Sequence, residues 1–206
     1  MRQIKKNKNI FLLTLLLTLT LSGCKYGYNS DPISEGAASI NVNGVPREYI
    51  IHVPSDLDSS RAVPLMLIFH GWTMSATDQM NISDMRALAD SEKFILVYPQ
   101  GTVYERATHW NVGSWTTGST SDDLGFVDKL IGHISATHNV DTTRIYAAGY
   151  SNGGFFSHEL ACKLSNKVAA IGTVVANMST RTKQNCNPSH PTPVVTISGT
   201  NDKEVS

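Results

Sequence analysis

"IYAAGYSNGG", residues 145–154, is the stretch whose reading decides the fold. An apolar run stops at Gly149, and one serine, Ser151, stands between Gly149 and Gly153. A chain that turns this sharply from strand to helix brings the Cβ atoms flanking the turn into collision, so glycine is required there. The serine then projects at a helix N-terminus, where unpaired N–H groups and the helix dipole favour developing negative charge. A glycine-rich turn with an idle serine is the bland alternative. Against it stands the context: an apolar strand pattern before the turn, and after it "GGFFSHELACKLSNK", with Phe156, Leu160 and Leu164 on one helical face.

The same alternation continues outward. "VPLMLIFHG" (63–71), "KFILVYPQG" (93–101), "AAIGTVVAN" (169–177) and "PTPVVTISGT" (191–200) are further apolar runs. Runs apolar on both faces are what a parallel sheet covered by helices requires. Between them, "DDLGFVDKLIGHISATH" places Val127, Leu130, Ile131 and Ile134 at helical spacing behind an acidic start at Asp122 and Asp123. "SDMRALADSEK" reads as another helix, and "ASINVNG" with "REYIIHVP" as two early strands turning at Asn43-Gly44. Strands alternating with helices predict an α/β fold with a mainly parallel sheet, and a ligand site at the carboxyl ends of its strands.

The 206-residue chain is 41% hydrophobic with formal net charge +0, which suits one globular domain and offers no electrostatic footprint for nucleic acid. Arg2, Lys5, Lys6 and Lys8 precede an uncharged apolar run from Ile10 to Leu21, too short to span a membrane and suited to a signal peptide. It ends in "LSGC", which resembles a bacterial lipobox cleaved before Cys24. Residues 1–23 are thus expected to be a lipoprotein signal peptide, 24–38 a lipid-anchored tether, and 39–206 the folded domain. The alternative is an ordinary secretory signal with an incidental cysteine. Both readings export the protein. In an oxidising setting Cys162 and Cys186 are expected to pair, the alternative being two unrelated buried thiols. Three cysteines without CxxC spacing give no zinc site, and no cofactor is implied.

Gly149-Tyr150-Ser151-Asn152-Gly153 is a G-x-S-x-G, the nucleophile elbow of α/β-hydrolases when strand and helix flank it. Such a nucleophile needs two backbone donors for an oxyanion. Asn152, directly after the serine, and Trp72, after the strand ending "FHGW", are the candidates. An acid should follow a later strand, and Asp202 lies just past "VVTISGT"; a plain turn aspartate is the alternative.

At this point the chain resembles a family of serine esterases: polyhydroxybutyrate depolymerases, feruloyl esterases and acetylxylan esterases. "LIFHGW", "FILVYPQGT", "HWNVG", "DDLGFVDKLI", "NVDTTRIYAAGYSNGGFFSHELACKLS" and "VVTISGTNDKEV" carry the resemblance in that order. It implies an α/β-hydrolase fold, Ser151 as nucleophile, Asp202 as acid, and Trp72 and Asn152 as oxyanion donors. It also implies His70, Trp110, Asn111 and Tyr150 as substrate-proximal residues. Asp123 and Asp141 are expected to be structural. The family's catalytic histidine should follow the acid by some tens of residues, after one more strand. The chain stops at Ser206, so the expectation is a domain lacking its last strand and histidine loop. Of the seven histidines, His109 alone is expected on a loop at the right edge of the sheet.

The resulting expectation is an exported serine carboxylic-ester hydrolase, acting through an acyl-enzyme and weakly active as it stands. Its partners would be a polyester or an esterified plant polysaccharide, and a membrane through Cys24. A peptidase or lactone hydrolase of the same fold, and a non-catalytic surface-binding lipoprotein, are the alternatives.

Overall fold

The computed structural model describes residues 36–202. The signal peptide, the lipobox at Cys24 and all but the end of the tether lie outside the described residues. No helix among the described residues is long and apolar enough to cross a membrane.

A hairpin opens the fold: β1 (Ala37–Val42) and β2 (Val45–His52) pair antiparallel across Asn43-Gly44. Both turn residues have positive φ, 54° and 87°, as an Asn-Gly hairpin turn requires. β1 begins two residues before the expected domain boundary at 39, so Ala37 and Ala38 belong to the sheet.

The remaining strands of the main sheet are β3 (Val63–Phe69), β4 (Ile95–Pro99), β7 (Val140–Tyr150), β8 (Ala170–Val174) and β9 (Val194–Ile197). Their order across the sheet is β1-β2-β4-β3-β7-β8-β9, antiparallel at β1-β2-β4 and parallel from β4 to β9. β3 and β4 are central, and Leu65, Leu67, Ile95 and Val97 have no exposed surface. That is why they read as unbroken apolar runs. At the β9 edge, Val195 and Ile197 are 65% and 62% exposed.

Among the described residues five α-helices accompany the sheet. α2 (Arg86–Glu92), α3 (Asp123–Thr137) and α4 (Asn152–Lys163) match the expected helical patterns. On α3, Phe126, Leu130 and Ile134 face the core. Asp122 caps α3 by accepting from Gly125 N at 2.9 Å. Two short helices were not anticipated. α1 (Ala76–Ile82) is started by a capping box between Ser75 and Asp78, and α5 (Thr180–Gln184) by Ser179. A separate small hairpin, β5 (Thr102–Tyr104) with β6 (Ala107–His109), was also not foreseen.

Cys162 and Cys186 form a disulfide across 24 residues, with Cα atoms 4.9 Å apart. It ties the last turn of α4 to the segment that leads into β9, as the oxidising setting led us to expect. Cross-linking a loop of this length restricts the unfolded chain, worth about 2–4 kcal/mol. Cys186→Ser should lower the urea midpoint accordingly, and added reductant should lower the wild type to the same value. Thiol titration of unreduced protein should find neither cysteine reactive.

Candidate active site

Parallel register brings four strand exits together. Phe69 of β3 pairs with Gly149, Tyr150 with Val174, and Val174 with Ile197. Ser151 therefore emerges between the turn after β3 and the exit of β8, and Asp202 follows β9 at the same carboxyl edge. Ser151 N donates to Val174 O at 2.9 Å, fixing the serine to its neighbouring strand.

Ser151 sits at φ 50°, ψ −118°, a conformation that strains any residue with a Cβ. The turn is closed enough to explain both flanking glycines. A Cβ on Gly149 would lie 2.2 Å from the Gly153 carbonyl carbon and oxygen; one on Gly153 would lie 2.3 Å from Phe69 O. The elbow is thus packed backbone to backbone against β3.

Asn152 opens α4. Its N–H is among the first-turn donors that have no acceptor within a helix. Its side chain is buried and holds another segment: Oδ1 accepts from Trp110 N at 2.7 Å, and Nδ2 donates to Trp110 O at 3.1 Å. Trp110 in turn donates its indole N–H to His70 O at 3.0 Å. It also stacks on Phe156 and meets Phe69 edge-on, each 5.1 Å away. One tryptophan thus links the elbow, the exit of β3 and the first turns of α4.

The turn after β3 runs Gly71 to Met74. Met74 N donates to Gly71 O and Thr73 N to Thr108 O, with Thr73 at φ 65°. Trp72 N–H, at the second turn position, belongs to neither bond. The Tyr150 ring lies against Gly71, where a Cβ would come within 3.0 Å of it. Tyr150 is 36% exposed and Trp72 is half-buried.

Two residues expected beside the substrate are core residues instead. His70 and Trp110 are fully buried and present no surface to a ligand. The family resemblance made them look like site residues, but they hold the turn after β3 from behind. His70 Nδ1 donates to Gly71 O at 2.8 Å, and its Nε2 accepts from Gly101 N at 2.9 Å. Asn111 is half-buried and braced: its N–H donates to Asp123 and its amide to Ser119 O and Ser121 O. Asp123, expected to be structural, also pairs with Arg47 at 2.7 Å, whose guanidinium lies over the Phe126 ring. Asp141 accepts from Thr143 and from Arg144, which hold its carboxyl down to about 2.

Among the described residues no histidine ring is hydrogen-bonded to Ser151. His109, expected on a loop, is a buried residue of β6, with Nδ1 against Thr102 O and Nε2 against Ser119 Oγ. His52 pairs with Asp90, and His158 is buried with neither ring nitrogen bonded. Asp202 N donates to Gly199 O at 3.2 Å.

His70 gives a pH dependence. Burial pushes its imidazole down to about 4, against 6.5 in the unfolded chain. The unfolded state therefore takes up the proton first as pH falls. Stability is complete above about pH 6.5 and is lost progressively towards pH 4, by about 3 kcal/mol in all. Protonating Nε2 would also break its bond from Gly101 N–H. His158, lowered by burial too, adds in the same direction. Urea midpoints measured from pH 7 to 5 should fall, and His70→Gln should flatten much of that slope.

Together these elements are those of an α/β-hydrolase. The solved structure of a thermostable esterase has the same fold, with a TM-score of 0.66 at 19% identity over 82% of this chain and 47% of its own. Residues 47–183 match the family described as "Esterase PHB depolymerase", and the chain belongs to that family. A bifunctional acetylxylan esterase/xylanase of Neocallimastix patriciarum is 30% identical over 160 residues, covering 77% of this chain and 22% of that protein. A feruloyl esterase B of Piromyces equi is 30% identical over 161 residues, covering 77% of this chain and 30% of that protein. The chain thus spans less than a third of the length of these two curated relatives.

Proposed function

We propose that the chain carries the nucleophile of an exported serine carboxylic-ester hydrolase acting on an esterified polysaccharide or a polyester. The observation that carries this reading is Ser151, held at φ 50° on a turn that only glycine can flank, at the N-terminus of α4. In the proposed reaction Ser151 Oγ attacks the ester carbonyl and gives its proton to a histidine that Asp202 orients. Trp72 and Asn152 N–H groups hold the oxyanion. The alcohol departs with the proton, leaving an acyl-enzyme that water hydrolyses. Family membership and the names of the two relatives support acetyl and feruloyl esters of xylan as substrates, beside polyhydroxybutyrate.

A second reading, a non-catalytic binding lipoprotein, is favoured by one observation: the described histidine ring bonds go elsewhere than Ser151. A panel of acetylated xylan, methyl ferulate and 3-hydroxybutyrate oligomers, given to protein that includes a histidine loop after Asp202, separates the two. Hydrolysis that disappears in Ser151→Ala supports the esterase. No hydrolysis of any ester supports the binding protein.

Membrane attachment through Cys24 belongs to the same proposal. Fatty-acid labelling in a bacterial host should tag the wild type and not Cys24→Ala; equal labelling would refute the anchor.

A further inference from the structure

Phe155, Glu159 and Lys163 follow Ser151 at four-residue steps, a stripe that winds slowly round α4 as it runs away from the elbow over about 18 Å. Phe155 N donates to Ser151 O at 3.0 Å, which locks the first step of that stripe to the elbow. Beside it, Trp115 meets the Phe155 ring edge-on, with centroids 4.9 Å apart, and remains 46% exposed. Farther along the stripe opens a cleft of roughly 360 Å³, whose lining includes the charged residues Asp122, Asp123, Glu159, Lys163 and Arg181.

We infer that this cleft, together with Trp115 two residues beyond its lining residue Gly113, is a binding site for the uncharged glycan backbone of an esterified polysaccharide whose ester reaches Ser151. The inference rests on the esterase reading only for the ester end of the ligand.

Three features select a glycan. Trp115 is held rigidly where a sugar ring can stack on it. Its 3-10 turn, Ser114–Thr116, is pinned by buried Thr116, whose Oγ1 accepts from Val112 N and donates to Gly113 O. Gly113, at φ 64°, lets the Arg181 side chain lie across the turn, where a Cβ would stand 2.1 Å from Arg181 Cδ. An exposed indole fixed this way presents a large apolar surface at little entropic cost.

Charge is the second feature. Asp122, Asp123 and Glu159 share the lining with Lys163 and Arg181, and Asp123 is already paired with Arg47, so the cleft favours neither an anion nor a cation. Hydrogen-bonding capacity is the third. The cleft offers acceptors as well as donors: Glu159 uses Oε1 to accept from Thr182, which leaves its other oxygen to a ligand. Sugar hydroxyls donate and accept, and so satisfy both kinds of group. A polyester chain has only acceptors between its ends. It would leave the carboxylates of the cleft desolvated without donors, which is costly.

The test uses an unesterified xylo-oligosaccharide hexamer as the probe, titrated calorimetrically into the protein. Wild type should show saturable binding. Trp115→Ala should weaken it about tenfold, corresponding to about 1.4 kcal/mol. Trp115→Phe should retain most of it. Arg181→Gln, at an exposed position in the cleft lining, should weaken binding severalfold and keeps the test valid if Trp115→Ala fails to fold. Absence of binding by the wild type, equal affinity in the wild type and both weakened variants, or uptake of 3-hydroxybutyrate oligomers in place of the sugar would overturn the inference. The probe carries no ester, so glycan binding without hydrolysis of any ester by the protein that includes a histidine loop would uphold the site and sink the esterase reading, and the reverse result would do the opposite.

Discussion

Adding a relative's closing strand and histidine loop after Asp202 should raise hydrolysis of p-nitrophenyl acetate by about three orders of magnitude or more, and Ser151→Ala should abolish the gain. The reason is the proton. A serine hydroxyl keeps its ordinary high pKa unless a base stands within hydrogen-bond reach to receive its proton during attack. The described rings do not offer one: His109 is bound to Thr102 and Ser119, and His70 is buried behind the turn. Removing a member of such a triad typically costs a factor of thousands or more, while oxyanion donors and binding leave a residual rate. The chain as it stands should therefore hydrolyse the ester slowly, nearly as slowly as its own Ser151→Ala variant. The added strand has a physical seat as well, because it can pair on β9 and cover exposed Val195 and Ile197. Rapid turnover by the unextended chain, lost on Ser151→Ala, would mean that a described residue already serves as the base. His109→Gln would then be the first variant to make.

What could be read from sequence follows from where each constraint lies. β3, β4 and β7 were legible because their apolar runs answer to burial on both faces, a property of the local segment. The elbow was legible because its glycines answer to a steric demand five residues wide. The β5–β6 hairpin was not. Its turn residues, Glu105 and Arg106, both take positive φ without the glycine or asparagine that would announce it. α1 did carry a signal, the Ser75-to-Asp78 capping box, but the helix it starts is only seven residues long. Trp110 shows the other limit. An aromatic residue in a loop near the nucleophile looks like a ligand contact. Its burial is set by partners at positions 69, 70, 152 and 156, none adjacent to it in the chain. The double hydrogen bond from the Asn152 side chain is equally invisible to spacing, although it explains why an asparagine suits the position after Ser151.

The glycines of the elbow supply the other large effect. Gly149→Ala and Gly153→Ala should each destabilise the protein by more than about 4 kcal/mol, enough to prevent soluble expression of a domain with ordinary stability. The argument is geometric. At Gly149 the new methyl group would meet the Gly153 carbonyl at 2.2 Å, and at Gly153 it would meet the Phe69 and His70 carbonyl oxygens at 2.3 and 2.6 Å. All of these are backbone atoms, so no side-chain rotation relieves the overlap. Relief requires moving α4 away from β7 and β3, which would open the packing of Phe156 against Phe69 and Trp110. Two other glycines serve as controls within the same fold. A Cβ at Gly172 would touch only Ala148 Cβ at an ordinary 3.6 Å, and one at Gly132 would meet nothing within 4 Å. Gly132 lies on the exposed face of α3, so Gly132→Ala should stabilise the protein by up to about 1 kcal/mol through helix propensity. Thermal unfolding of the four variants should therefore rank Gly132→Ala at or above wild type and Gly172→Ala near it, with the two elbow variants unfolded or far below. An elbow variant that melted near wild type would show that α4 can shift without loss. The close backbone packing that holds Ser151 in its strained position would then not be what this fold requires.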